Sequence, residues 1–343
     1  MLLSFCRILL LFLFLFFLNA HADELITEPE DGRAPLLSAL QDAQHSIDLV
    51  VYGLTDEVFI RALIDAKNAG KEVNVLLEAA PYKSEHENDF AKQQLESSQV
   101  NVVSGNPAFK YTHQKTFILD HARAIVMTFN LTHSTFQHER NFALLVTDPQ
   151  TVSEIHHVFD ADVHRQNVFP RQSNLIWSPE NSRVKMVDAL KSANTQVDIY
   201  AENINDYGLV GVLGSLARKG ITVRILHSSE SAQSKKFRYL KRSGVQLKKS
   251  KKYLIHAKVI IVDHQFAILG STNLTKNSLE HNRELSVVTY DPKVVDQLEN
   301  TFQQDWGVEK TKRLSRRQSR LKGWIAMAKY GVYPIRRHGA ASQ

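Results

Sequence analysis

The chain has 343 residues, 43% of them apolar and 23% charged, which excludes a disordered, collagen-like or coiled-coil protein. A single cysteine, Cys6, leaves no disulfide framework and no thiolate-rich metal site. The net charge of +6 belongs to the C-terminus: ten Lys/Arg and no acid follow from Lys310 onward, leaving 32 basic against 36 acidic residues elsewhere. Basicity is therefore no sign that the folded body binds nucleic acid.

The first predicted element is a leader. Arg7 precedes eleven unbroken apolar residues, Ile8–Leu18, and Ala20-His21-Ala22 gives a small-x-small ending. This pattern predicts a secretory signal peptide over 1–22, cleaved after Ala22, and an exported protein, periplasmic or secreted. An uncleaved anchor is the alternative, but Leu2–Leu18 is short for a span of ~20 residues and contains Arg7. No other apolar run reaches spanning length.

Beyond the leader the chain repeats itself. Ile47–Tyr52 aligns with Val197–Glu202, and Gly70–Leu76 with Gly220–Leu226, at an offset of 150. His113, Lys115, Asp120 and Asn130 recur as His256, Lys258, Asp263 and Asn273 at an offset of 143. Arg140 then maps on Arg283, and Phe159 on Phe302. Each copy reads as an apolar strand (47–52; 197–200), then a helix (56–68; 209–219) closed at Gly70 or Gly220, then a second, parallel strand (73–77; 223–226). Strand runs at 116–119 and 124–128, and at 259–262 and 266–269, follow, and helices at 151–163 and 294–306 close the copies. The segment 165–178, with Pro170, reads as the linker. The organisation expected is 23–168 for the first half, 169–309 for the second and 310–343 for a basic, aromatic tail.

On a strand, a two-residue period would put His113 with Lys115, and His256 with Lys258, on one face. Imidazole, fixed ammonium and the amide of Asn130 or Asn273 suit a tetrahedral phosphate: lysine neutralises and amide orients. Two such copies about a pseudo-dyad supply one histidine for in-line attack and another to protonate the leaving oxygen. With two lysines doing the neutralising, the site calls for no metal and no cofactor.

These segments, His113-x-Lys115-x4-Asp120 and His256-x-Lys258-x4-Asp263-x6-Gly270-Ser271-x-Asn273, resemble the paired HKD motifs of the phospholipase D superfamily. The second motif matches throughout, whereas the first reads Met127-Thr128-Phe129-Asn130 where Gly-Ser-x-Asn is usual. The resemblance implies an α/β fold of two pseudo-symmetric α/β/α sandwich halves, one active site between them and a covalent phosphohistidine. It also implies a supporting acid at Glu284, whose counterpart in the first half is the amide Asn141. In several members this support crosses between the halves, which makes His113 the nucleophile and His256 the acid; support within each half reverses the roles. Asp120 and Asp263 are read as supports of the strand ends, with Asn141 and Ser271 also in supporting positions.

The substrate implied is a phospholipid cleaved at its head group. An exported nuclease of the same superfamily is the alternative, and a cardiolipin-synthase-like phosphatidyl transferase a further one. Two motifs in one chain remove the need for a dimer, so a monomer is expected. The basic run 235–258 reads either as a flank of the cleft or as a solvated surface, and the tail, with Trp324, Tyr330 and Tyr333 among cations, as a contact for an anionic membrane or a nucleic-acid backbone. His156, His157, Asp160 and His164 have metal-ligand spacing on a helix, but read as a wet helix face.

Overall fold

A computed structural model describes residues 23–228 and 234–307. The predicted leader and the tail from Lys310 lie outside them. The chain divides into two compact units, residues 1–302 and 303–343; in the second, residues 303–307 are described, and the helix Pro292–Trp306 ends there.

The first unit is built on two sheets. One half contributes β1 (Glu24–Glu28), β2 (Ser46–Val51), β3 (Glu72–Leu77), β4 (Asn101–Ser104), β5 (Thr116–Leu119), β6 (Arg123–Met127) and β7 (Glu139–Val146). The other contributes β8 (Leu175–Ser178), β9 (Gln196–Ala201), β10 (Thr222–His227), β11 (Gln246–Lys249), β12 (Leu254–Ile255), β13 (Lys258–Val262), β14 (Phe266–Gly270) and β15 (Glu284–Thr289). The first sheet runs β1-β7-β6-β5-β2-β3-β4, and the second β8-β15-β14-β13-β9-β10-β11. The order is the same, so the repeat read in the sequence is a repeat of topology. In each sheet three strands are parallel (β2, β3, β4; β9, β10, β11) and the others along these orders are joined antiparallel, while β12 adds to β7 in parallel.

Local sequence explains the helices. Asp56 accepts from Val58 N at 3.1 Å and caps the helix Glu57–Asn68, which turns Phe59, Ile60, Leu63 and Ala66 inward. Asp206 does the same for Tyr207–Arg218, accepting from Leu209 N at 2.9 Å. Both helices are followed by a glycine with positive φ, Gly70 at 87° and Gly220 at 91°, where a side chain would be strained. Alternate residues of β2 (Ile47, Leu49, Val51) pack with Leu36, Leu40, Phe59 and Leu63. On the opposite face, the helix Pro149–Val163 lies against β5 and β6. Strands buried on both faces in this way define an α/β/α layering.

The halves meet where β6 and β7 lie against β14 and β15. Their backbones also exchange: β12 pairs with β7 (Leu254 with Glu139, Ile255 with Arg140), and Thr112 bridges to Arg283. The two exchanges are related by the same 143-residue offset. Arg140 and Arg283, both buried at this seam, anchor the edge strands. Arg140 Nη1 donates to Glu28 O at 2.7 Å, and Arg283 Nη1 to Ser178 O at 3.3 Å and to Glu180 Oε1 at 2.8 Å.

Two expectations need correction. The end of the predicted linker is strand β8, buried and paired with β15 from Leu175 to Ser178. His113 and Lys115 precede β5, and His256 precedes β13, so the motifs enter their strands in extended chain. The reason is the seam: His113 N donates to Arg283 O at 2.9 Å and Ala257 N to Arg140 O at 3.0 Å, so these residues pair with the opposite half.

Candidate active site

The seam brings both motifs to one place. His113 Nδ1 and Glu284 Oε2 are 2.8 Å apart, and Glu284 is fully buried with Asn282 Nδ2 donating to its other oxygen at 3.0 Å. His256 Nδ1 lies 3.2 Å from Asn141 Oδ1. Each histidine is therefore backed by a residue of the other half, one by a carboxylate and the other by an amide. The carboxylate and the amide oxygen only accept, so Nδ1–H donates in both contacts; His256 Nε2 lies 3.3 Å from Lys258 Nζ.

Lys115 is fully buried; its Nζ donates to His113 O at 2.5 Å and lies 5.1 Å from the centre of the Tyr52 ring. Lys258 Nζ donates to His256 O at 2.6 Å and, across the seam, to Thr128 O at 3.1 Å. Burial and the neighbouring Lys258 push the Lys115 ammonium well below its usual range. A bound phosphate would relieve that repulsion. Asn273 Nδ2 donates to Glu202 Oε2 at 3.1 Å, and the buried Oδ1 of Asn130 and of Asn273 has no protein partner.

The supporting residues have structural work. Asp120 accepts from the backbone N–H groups of Gln44, His45 and Ser46 at 2.6–3.0 Å, and Asp263 from Asn194, Thr195 and Gln196 at 2.7–2.8 Å. For Asp263 these bonds outweigh burial and lower the carboxyl to about 2. Ser271 Oγ accepts from Leu285 N at 3.1 Å, and its first-half counterpart, Thr128, accepts from Phe142 N at 3.0 Å. Thr128 thus does in the divergent first motif what Ser271 does in the second. Thr128 Oγ1 also donates to Asn141 Oδ1 at 2.9 Å, fixing the amide behind His256. At Gly270, where the first half has Met127, a Cβ would come within 2.3 Å of Leu285 O.

Glu202 was not read as a site residue from the sequence. Its Oε2 lies 2.6 Å from Lys258 Nζ, 3.1 Å from Asn273 Nδ2 and 3.7 Å from His256 Nε2. Although burial raises a carboxyl, Lys258 and then His256 hold this one well below the usual range. Its counterpart is Tyr52, whose ring meets His113 edge-on with centroids 4.8 Å apart. The alignment of Ile47–Tyr52 with Val197–Glu202 held the signal: both residues follow the end of a buried strand that abuts the motif.

Burial lowers both imidazoles. Against it, Glu284 supports the charged form of His113; on His256, burial and Lys258 prevail over Glu202 and push it down to about 3. An anion filling the site would favour the protonated form of either imidazole.

Two imidazole–ammonium–amide sets facing one another about a pseudo-dyad are the arrangement of the phospholipase D superfamily. Residues 36–163 and 186–306 match the family described as "Cardiolipin synthase, PLD-like domain", and the chain belongs to that family. A polyphosphate kinase from Yersinia pestis is 24% identical over 271 residues, 72% of this chain and 39% of that protein. Cardiolipin synthase 1 from Bacillus cereus is 31% identical over 110 residues, 30% of this chain and 22% of that protein. The chain thus spans about two fifths or less of the length of these relatives. In fold it is similar to the phosphatidylserine synthase of Haemophilus influenzae Rd KW20, with a TM-score of 0.65 at 15% identity, covering 89% of this chain and 94% of that one.

Proposed function

We propose that the protein cleaves the head-group phosphodiester of phospholipids through a phosphohistidine on His113. The observation that carries the assignment of roles is the asymmetry behind the imidazoles: a buried carboxylate at 2.8 Å from His113, an amide at 3.2 Å from His256. A carboxylate raises the basicity of the ring it holds, which suits a nucleophile. His113 Nε2 attacks phosphorus as the P–O bond to the head group breaks, and His256 Nε2 gives its proton to the leaving oxygen. The reverse step uses neutral His256 to take a proton from the incoming water or alcohol. Lys115, Lys258, Asn130 and Asn273 hold the phosphate oxygens, and the chemistry needs no metal ion.

Transfer to an alcohol is the second reading. Supporting it are the family's description as cardiolipin synthase and the near full-length likeness in fold to a phosphatidylserine synthase. Export, on the Met1–Ala22 pattern, and docking of the basic, aromatic tail on an anionic membrane complete the proposal. The test offers residues 23–343 mixed phospholipid vesicles, glycerol and a single-stranded oligonucleotide together, with and without EDTA, and follows phosphorus NMR. Phosphatidic acid is the product of hydrolysis, and a new lipid diester the product of transfer. Loss of the oligonucleotide signal with the lipids intact would overturn the lipid assignment in favour of a nuclease.

A further inference from the structure

We propose that Asp48, His121 and His156 form a site for a divalent metal ion of the zinc type, separate from the catalytic residues. They come from three parts of the first half: Asp48 from β2, His121 from the turn between β5 and β6, and His156 from the helix Pro149–Val163. Asp48 Oδ2 is 3.4 Å from His121 Nε2 and 3.7 Å from His156 Nε2. Ligands bonded to tetrahedral zinc at about 2.0–2.2 Å stand roughly 3.2–3.6 Å apart, close to the two spacings from Asp48, and all three donor atoms lie within 4.8 Å of one another. The rings of His121 and His156 lie side by side, centroids 3.7 Å apart.

The independent observation is the carboxylate. Asp48 is 1% exposed, and while its Oδ1 accepts from Asn74 Nδ2 at 2.8 Å, its Oδ2 has no hydrogen-bond partner and points at the two rings. A buried carboxylate oxygen left unpaired is costly and calls for a cation. His121 and His156 are half and one-third exposed, which gives an ion its way in and leaves room for a water as fourth ligand. Two imidazoles in contact cannot both be protonated without repulsion, whereas both can bind one metal as neutral ligands.

The second half shows what the site would be without a metal. Asp198, the counterpart of Asp48, is held by Arg224 Nε at 2.7 Å and Nη2 at 2.5 Å. Arg224 stands where the first half has Asn74, and Glu299, in contact with His264, stands where it has His156. There the protein itself supplies the cation. In the first half it removes the guanidinium and supplies a second histidine. The ion would pin β2, the β5–β6 turn and the helix Pro149–Val163 together, a structural clip independent of the catalytic proposal.

The test titrates zinc into untagged full chain, freed of metal by chelation, with calorimetry and thermal melting as readouts. One equivalent should bind and raise the melting temperature. The exposed His121→Ala and the His156→Ala changes should each weaken that equivalent by at least about 100-fold and abolish the thermal shift. Asn74→Arg, which installs the second half's guanidinium, should abolish binding in a folded protein. No zinc bound by the wild type, or the same equivalent bound by the His121→Ala/His156→Ala double variant, would overturn the proposal.

Discussion

Glu284 and Asn141 stand at matched positions of the repeat, and the difference between them, carboxylate against amide, sets the two histidines apart, as does Glu202 beside His256 where His113 has Tyr52. Glu284→Gln keeps the bond to Asn282 within reach and removes the charge behind His113; kcat on a chromogenic phosphodiester should fall by about 10²–10⁴-fold with KM little changed. Unaltered kcat would show that His113 does not depend on its carboxylate. Glu202 acts on the other histidine. It favours the protonated form of His256, so Glu202→Gln lowers the pKa of the acid. A rate that requires the acid protonated then begins to fall at lower pH: the alkaline limb of kcat should move down, and a pH–rate profile reads this directly. The His, Lys and Asn residues were legible because a phosphate site needs those types at repeating intervals. Glu202 was not, since its matched residue is a tyrosine and nothing in the spacing separates a strand-end carboxylate at a site from one in solvent.

At the scale of elements, the edge strand β1 ends on Glu28, a fully buried residue whose carboxyl oxygens both lack partners. Burial, with Asp31 adding to it, pushes this carboxyl up to about 8. The unfolded chain releases the proton near 4.5 and the folded chain holds it, so this group's contribution to stability is present below 4.5 and is lost as pH rises through about 8. Glu28→Gln removes the loss: its melting temperature relative to wild type should climb between pH 4.5 and 8, and a constant difference across that range would contradict the account. The capped helices after Asp56 and Asp206 could be read directly, because cap, apolar stripe and terminal glycine agree. β1 and β8 could not. Leu175–Ser178 is four residues long, too short to show a period, and becomes a strand by pairing with β15. The helix Lys235–Arg242 buries Phe237 and Leu240 and sets its cations on the other side, which makes this part of the basic run an amphipathic surface helix.

On the scale of the whole molecule, the offset changes from 150 to 143 between Leu77 and His113, where the first half carries seven residues more than the second. That region includes Asn88, which donates to Tyr52 O at 2.8 Å and Glu78 O at 2.9 Å and so braces the strand end beside His113. The repeat made the dyad legible, but not the crossing of the backbones, because pairing of Ile255 with Arg140 and of Thr112 with Arg283 is set by how two finished halves meet. That crossing places Glu284 behind His113, and the central claim follows from it. The most direct measurement quenches the enzyme during turnover of a diester with a good leaving group and maps the acid-labile phosphorus–nitrogen bond by peptide mass spectrometry. The account predicts the adduct on His113; an adduct on His256, or none on either histidine, would contradict it.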